Sequence, residues 1–169
     1  MRELRKGTAA DLEAVSALEA LCFPPAEAAD RETLAGRLNA YPGHFLLLEE
    51  DGRLIAFLDG FATDEEDLRD EMYADPALHR EDGRWEMIFG VDTHPAYRRQ
   101  GCAARLLKQA IWDAKAADRL GLVLTCKEAL VPFYARFGFR DEGITQKSQH
   151  GGAVWHQMRL RFQEGDGST

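Results

Sequence analysis

One stretch limits the possible folds of this chain more than any other. Ala103, Leu106, Leu107, Ala110, Ile111 and Ala114 stand at i, i+3, i+4, i+7, i+8 and i+11, the spacing of a single apolar stripe on a helix. The segment before it, Trp85 to Thr93, reads as a strand. Trp85, Met87, Phe89 and Val91 point one way, and Glu86, Ile88 and Gly90 the other. The segment after it, Gly121 to Cys126, reads as a buried strand. A strand–helix–strand unit therefore sits in the second half of the chain.

The first half alternates differently. Arg2 to Lys6 is read as a short strand. Thr8 precedes Asp11 by three positions, a capping signal for a helix carrying Ala14, Val15, Leu18, Leu21 and Cys22. Phe23-Pro24-Pro25 ends that helix, because proline disfavours helix in the residue before it. A second helix is predicted over Asp30 to Asn39, broken at Tyr41-Pro42-Gly43. His44 to Glu50 and Arg53 to Ala62 form a hairpin about Asp51-Gly52, a two-residue turn signal. Asp64 to Glu81 is acidic and reads as an exposed excursion with some helical turns. Beyond Cys126, a short helix is expected over Ala129 to Phe137, with Pro132 in its first turn. Strands are expected near Phe139 to Gly143 and Ala153 to Phe162, and a disordered tail from Gln163. Hairpins mixed with a strand–helix–strand unit make the fold class α+β. With 169 residues, a single domain over 1–162 is expected.

The formal net charge of −8 argues against a general nucleic-acid binder, whose footprint is basic. It favours cationic partners to some degree, or serves only to keep the protein in solution. No apolar run approaches the ~18 residues of a bilayer span, so no membrane partner is expected. Met1 to Gly7 carries basic residues with no apolar stretch behind them, and the cytosol is the expected compartment. Cys22, Cys102 and Cys126 are scattered and odd in number, which argues against a disulfide framework and a zinc site; no metal is expected. Cys22 and Cys126 lie in apolar runs and are expected to pack as small hydrophobes.

The chemistry-bearing motif is Arg98-Arg99-Gln100-Gly101-Cys102-Ala103-Ala104, between a strand and the clearest helix. Gly101 allows close approach of a ligand to the backbone. The first amides of a helix lack intrahelical partners and, with the dipole, suit a pyrophosphate. Arg98 and Arg99 can add charge-assisted contacts. From the residues alone, this is either a phosphate cradle or an ordinary helix start with two solvated arginines. It is not a P-loop, because no Gly-Lys-Ser/Thr follows, nor a GxGxxG fingerprint.

Arg98 to Ala103 fits the R/Q-x-x-G-x-G/A motif, and the chain in this respect resembles the GNAT acetyltransferase superfamily. It is similar in particular to the arylalkylamine (serotonin) N-acetyltransferase family. The similarity lies in Arg53-Leu54-Ile55-Ala56-Phe57, His94-Pro95-Ala96-Tyr97-Arg98-Arg99-Gln100-Gly101, the run from Cys126 to Tyr134, and Gly151 to Met158. The resemblance implies a mixed central sheet of six to seven strands flanked by helices, with acetyl-coenzyme A as co-substrate and no metal. It implies that Val91, Asp92 and Thr93 hold the pantetheine arm through their backbone. Arg98, Arg99, Gln100, Gly101, Cys102, Ala103 and Ala104 then cradle the pyrophosphate, the Cys102 side chain being incidental. Tyr134 matches the tyrosine that protonates the departing thiolate, and a phenol with an unperturbed pKa of ~10 suits that task.

The resemblance breaks at the general base. Vertebrate members carry two histidines at the positions of Met87 and Phe89, and neither residue here can take a proton. Glu86, Glu128, His150 and His156 are the other candidates, alongside a water chain. An alkylamine of pKa ~10 is only about 0.1% neutral at pH 7, so deprotonation needs help. Phe23 and Trp155 match aromatic acceptor-contacting positions of the family, and Met87 and Phe89 are expected in the same cavity; aromatic walls suit an aryl group or a cation. The implied activity is acetyl transfer to a small-molecule amine, with an arylalkylamine first. The alternatives are a polyamine, an amino sugar, a protein amine, or an acyl-coenzyme A-binding module without turnover. The expected state is a monomer or homodimer.

Overall fold

The computed structural model describes residues 1–163, apart from the side chain of His150. The tail expected to be disordered lies, but for Gln163, outside the described residues. The strands are β1 (Arg2–Lys6), β2 (Phe45–Glu50), β3 (Arg53–Thr63), β4 (Trp85–Thr93), β5 (Gly121–Cys126), β6 (Arg140–Ile144) and β7 (His156–Arg161). The α-helices are α1 (Leu12–Cys22), α2 (Arg31–Ala40), α3 (Asp70–Ala74), α4 (Cys102–Ala116) and α5 (Val131–Ala135). The strands form a seven-stranded mixed sheet in the order β1-β2-β3-β4-β5-β7-β6, and helices flank it, as the α+β reading requires. Among the described residues, no helix is long and apolar enough to cross a membrane.

The chain divides into two compact units, 1–60 with 90–107 and 61–89 with 108–169. In the first, β1 and β2 pair antiparallel from Arg2↔Glu50 to Lys6↔Leu46, and β2 pairs with β3 from Phe45↔Asp59. Asp51 and Gly52 both take positive φ (51° and 81°), the turn that matches the twist of a two-residue hairpin. The Thr8–Asp11 capping box is present. Arg5 clamps Asp11 with two hydrogen bonds of 2.9 and 2.6 Å. Asp30 caps α2 by accepting from the Thr33 amide at 2.8 Å.

In the second unit, β4 and β5 run parallel from Trp85↔Gly121 to Ile88↔Leu124. Both strands continue beyond the last registered pair. β7 lies antiparallel between β5 and β6. The acidic excursion is not simply exposed: Leu68 and Met72 are fully buried. Leu68 precedes α3 and Met72 lies within it. Two of its carboxylates are bonded from outside the segment: Asp67 meets Arg159 (2.7 Å) and Lys147 (2.6 Å), and Asp70 accepts from Ser148 and Gln149. The helix expected over Ala129–Phe137 is a 3-10 turn at Glu128–Leu130 followed by α5. The last strand starts at His156 rather than Ala153: 153–155 take no regular structure after a 3-10 turn with positive φ at Gly151 and Gly152, and the Trp155 carbonyl accepts from the Thr145 amide at 2.9 Å.

Candidate functional site

The segment from Arg98 to Ala104 combines two left-handed residues with the start of a helix. Arg99 and Gly101 take φ of +64° and +80°. Successive residues of alternating hand turn their amides to one side, forming a concavity for anionic groups. The first helical bond joins the Arg105 amide to the Gly101 carbonyl at 3.0 Å. The amides of Cys102, Ala103 and Ala104 are therefore left without an intrahelical acceptor. A Cβ built on Gly101 meets nothing within 4 Å, so the approach is open. Arg98 and Arg99 are exposed, and among the described residues neither side chain has a hydrogen-bond or ion-pair partner. The Gln100 side chain is turned away: its Oε1 accepts from Arg2, and its Nε2 reaches the Ala96 carbonyl at 3.5 Å. Cys102 is buried, with Sγ 3.8 Å from both the Tyr97 carbonyl and Arg2 Nη1. These residues fit a pyrophosphate through backbone amides, with two arginines for charge.

Just before the loop, the half-buried Cys22 Sγ donates to the Thr93 carbonyl at 3.3 Å. Cys22 is therefore not the purely apolar filler expected of it; Cys126 is buried and packs against the Met158 sulfur at 3.6 Å. Asp92, expected to serve through its backbone, has a side chain of 0% exposure beside two more buried acids, Glu19 (7%) and Asp59 (1%). Asp59 Oδ2 accepts from Arg37 at 2.8 Å, a buried ion pair. Glu19 Oε2 accepts from the Ala29 amide at 2.9 Å. Neither oxygen of Asp92 receives a hydrogen bond from an N–H or O–H donor. Its contact with Glu19 is acid against acid, and becomes a hydrogen bond only with a proton between them. Burial, then the charge of Glu19, hold the Asp92 carboxyl well above the usual carboxylate range. Burial, against the pull of Arg37, lifts Asp59 to about 6.

These shifts have a definite sign. A folded-state pKa raised above the unfolded value means that the folded chain holds its proton more tightly. That contribution is complete below about pH 4 and is lost as pH rises through about 6 for Asp59 and higher for Asp92. Asn at position 92 keeps the size and offers Glu19 an N–H donor at every pH. Asp92→Asn is expected to be more stable than the parent at pH 8, with little gain near pH 4. Urea unfolding at both pH values measures this; parallel pH dependences would contradict it.

The other expected residues lie in the second unit, save Phe23, which caps α1 half-buried with its amide on the Glu19 carbonyl. Tyr134 is 8% exposed on α5, its ring edge-on to Phe133 and Phe139 (5.1 and 6.1 Å). Met87 is fully buried. The half-buried Phe89 ring lies 5.0 Å from both Phe61 and Tyr73, and the Tyr73 hydroxyl meets Thr125 at 3.0 Å. Lys127 Nζ stands 5.8 Å over the Trp155 ring. Of the base candidates, Glu86 is buried in an ion pair with Arg119 (3.3 Å), while Glu128 is exposed. The His150 side chain is outside the described residues. His156 Nδ1 lies 3.1 Å from Asp141, which fixes the ring and leaves Nε2 as the other ring nitrogen.

The carboxyl cluster is the feature that sequence reasoning missed. Its signal was there: Glu19 continues the apolar stripe of Val15, Leu18 and Cys22, and Asp59 interrupts an apolar strand.

Residues 12–139 match the sequence model of the acetyltransferase (GNAT) family. Serotonin N-acetyltransferase from Mesocricetus auratus is 37% identical over 95 residues, 56% of this chain and 44% of that protein. The match thus spans less than half the length of that relative. Serotonin N-acetyltransferase from Homo sapiens is 31% identical over 147 residues, 75% of this chain and 70% of that protein. Among solved structures, the loading GNATL domain of CurA from Lyngbya majuscula superposes with a TM-score of 0.80 at 18% identity, covering 95% of this chain and 98% of that one. The putative acetyltransferase yncA from Salmonella typhimurium, with its cofactor acetyl-CoA, gives 0.69 at 17% identity, covering 98% and 96%.

Proposed function

Because the chain belongs to the acetyltransferase (GNAT) family, we propose that it transfers the acetyl group of acetyl-coenzyme A to a primary amine, with a small arylalkylamine as acceptor. The observation that carries the reading is the set of unbonded amides opening α4, with positive φ at Arg99 and Gly101, inside the family-matched region. The similarity to serotonin N-acetyltransferases supports the arylalkylamine. In this reading Arg98 to Ala104 hold the pyrophosphate, and Val91 to Thr93 offer backbone groups to the pantetheine arm. Acetyl-coenzyme A supplies the activated thioester. Tyr134 donates its hydroxyl proton to the departing thiolate. Met87, Phe89 and Trp155, in the second unit, offer apolar and aromatic surface for the acceptor.

Free-thiol release over a panel of arylalkylamines, polyamines, amino sugars and peptide amines tests this directly. Turnover confined to polyamines, amino sugars or peptides would reassign the acceptor. The absence of histidine at positions 87 and 89 favours one second reading, cofactor binding without turnover. Coenzyme A binding with no thiol release from any amine would establish it.

The same absence yields a prediction. Phe89→His is expected to raise turnover several-fold near pH 7, because a ring nitrogen then stands where the family places its base. The aromatic neighbours Phe61 and Tyr73 accept a ring of similar shape. If instead the parent enzyme shows a limb near pH 6–7 that His156→Gln abolishes, the base is His156 and the substitution gains nothing.

A further inference from the structure

A cleft of about 820 Å³ lies in the second unit, at the β6 edge of the sheet. Sites for small organic ligands span roughly 300–1,000 Å³. Its walls come from the last turns of α4, the turn before β6, β6 itself and the end of β7. Four basic side chains line it, Lys115, Arg140, Arg159 and Arg161, against one carboxylate, Glu142. That carboxylate is already engaged: Oε1 accepts from Gln157 Nε2 and Oε2 from Arg159 Nε, each at 2.8 Å. Arg159 is further held by Asp67 at 2.7 Å. Arg140 stands across from Arg159 in the β6–β7 register, where like charges repel. Among the described residues, Lys115, Arg140 and Arg161 have no ion pair. Lys115 Nζ lies 5.3 Å over the Phe162 ring and the Arg161 guanidinium 4.9 Å over Trp85, contacts that orient a cation without neutralising it. Ile111, Phe137 and Leu160 add apolar wall.

We propose that this cleft binds a small phosphate monoester, its dianion among Lys115, Arg140 and Arg161 and its apolar body against Phe137, Leu160 and Phe162. A guanidinium presents a planar fork that matches phosphate oxygens, and the lysine adds a point charge. Three cations without counter-charge favour a dianion over a single carboxylate. A polyanion such as nucleic acid is disfavoured, because the net charge of −8 leaves acid in excess over the rest of the chain. The site is separate from the pyrophosphate cradle: the cleft belongs to the second unit, whereas Arg98 to Ala104 belong to the first. It does not depend on the acyl-transfer reading, and no bond is made or broken in it.

Titration of the full, isotope-labelled chain with phenyl phosphate, followed by amide chemical shifts, tests the proposal and locates the ligand at once. The expected result is saturable binding that moves the amides of 138–142 and 159–163, with affinity falling as salt is added. Inorganic phosphate, which lacks the ring, is expected to bind about tenfold more weakly, and benzoate, with one charge, more weakly still. Arg140→Gln and Lys115→Gln are each expected to weaken phenyl phosphate by roughly 3–30-fold, since each removes one charge-assisted contact. Arg161→Gln is expected to act alike; should loss of its contact with Trp85 unfold the chain, the other two variants carry the test. Thermal melts verify folding. Shifts at the cleft, alone or beside shifts at 99–104, support the site if the variants weaken them. Shifts confined to 99–104, unchanged affinity in the folded variants, or no saturable binding overturn it. Benzoate or inorganic phosphate binding as tightly as phenyl phosphate overturns the assignment of a phosphate monoester. Thiol release judges the acyl-transfer reading separately, and neither result decides the other.

Discussion

Tyr134→Phe is expected to lower the turnover number by roughly 10²–10⁴ while changing coenzyme A affinity only a few-fold. The substitution removes one oxygen and keeps the ring, whose edge-on contacts with Phe133 and Phe139 need no hydroxyl. The ring packing is therefore kept, and in the proposed mechanism the loss reports the proton given to the thiolate. Lower kcat with little change in binding is the pattern of an interaction made mainly in the transition state. Steady-state thiol release and coenzyme A titration of parent and variant over pH 6–9 measure both quantities. Equal turnover would remove Tyr134 from the mechanism.

Gly101→Val is expected to act on the opposite quantity and to cost coenzyme A affinity by roughly 10²–10³-fold. The backbone at Gly101 sits at φ +80°, where a β-branched residue is strained by about 1–2 kcal/mol. The chain relieves that strain by leaving the conformation that aligns the amides of Cys102 to Ala104. Each charged hydrogen bond lost adds roughly 1.5–3 kcal/mol. The valine side chain also stands in the open space through which a phosphate reaches the backbone. Helical content is expected to persist, because the buried face of α4, with Leu106, Leu107, Ala110 and Ala114, is untouched. Calorimetry with coenzyme A decides the matter, and undiminished affinity in a folded variant would relocate the pyrophosphate.

What could be read from the sequence, and what could not, follows from how local each signal is. The limits of β4 and the apolar stripe of α4 are written in short-range periodicity, and the structure places them as expected. The hairpin is equally local, since Asp51-Gly52 accepts positive φ at both positions. The segment from Asp64 to Glu81 misled because its charge density concealed two apolar residues, Leu68 and Met72, that only packing reveals. The start of β7 was expected at Ala153, three residues early, because the apolar Ala153, Val154 and Trp155 suit a strand but take no regular structure. For the carboxyl cluster the local signal marked Glu19 and Asp59 one at a time, and nothing local says that they meet Asp92. Glu19, Asp59 and Asp92 are tens of residues apart, and a single acid in an apolar run looks like a solvent-facing position until three of them meet.

Arg2 on β1 bonds both Glu50 (2.9 Å) and Gln100, and its guanidinium lies 5.9 Å over the Tyr97 ring. The loop ahead of α4 is thus braced by the first strand of the chain. Fixing a residue costs on the order of 1–2 kcal/mol of backbone entropy, and here the loss is taken during folding. In the proposed function, a pyrophosphate arriving at these amides then meets a loop already braced, and its capture is governed by diffusion and by the charge of Arg98 and Arg99.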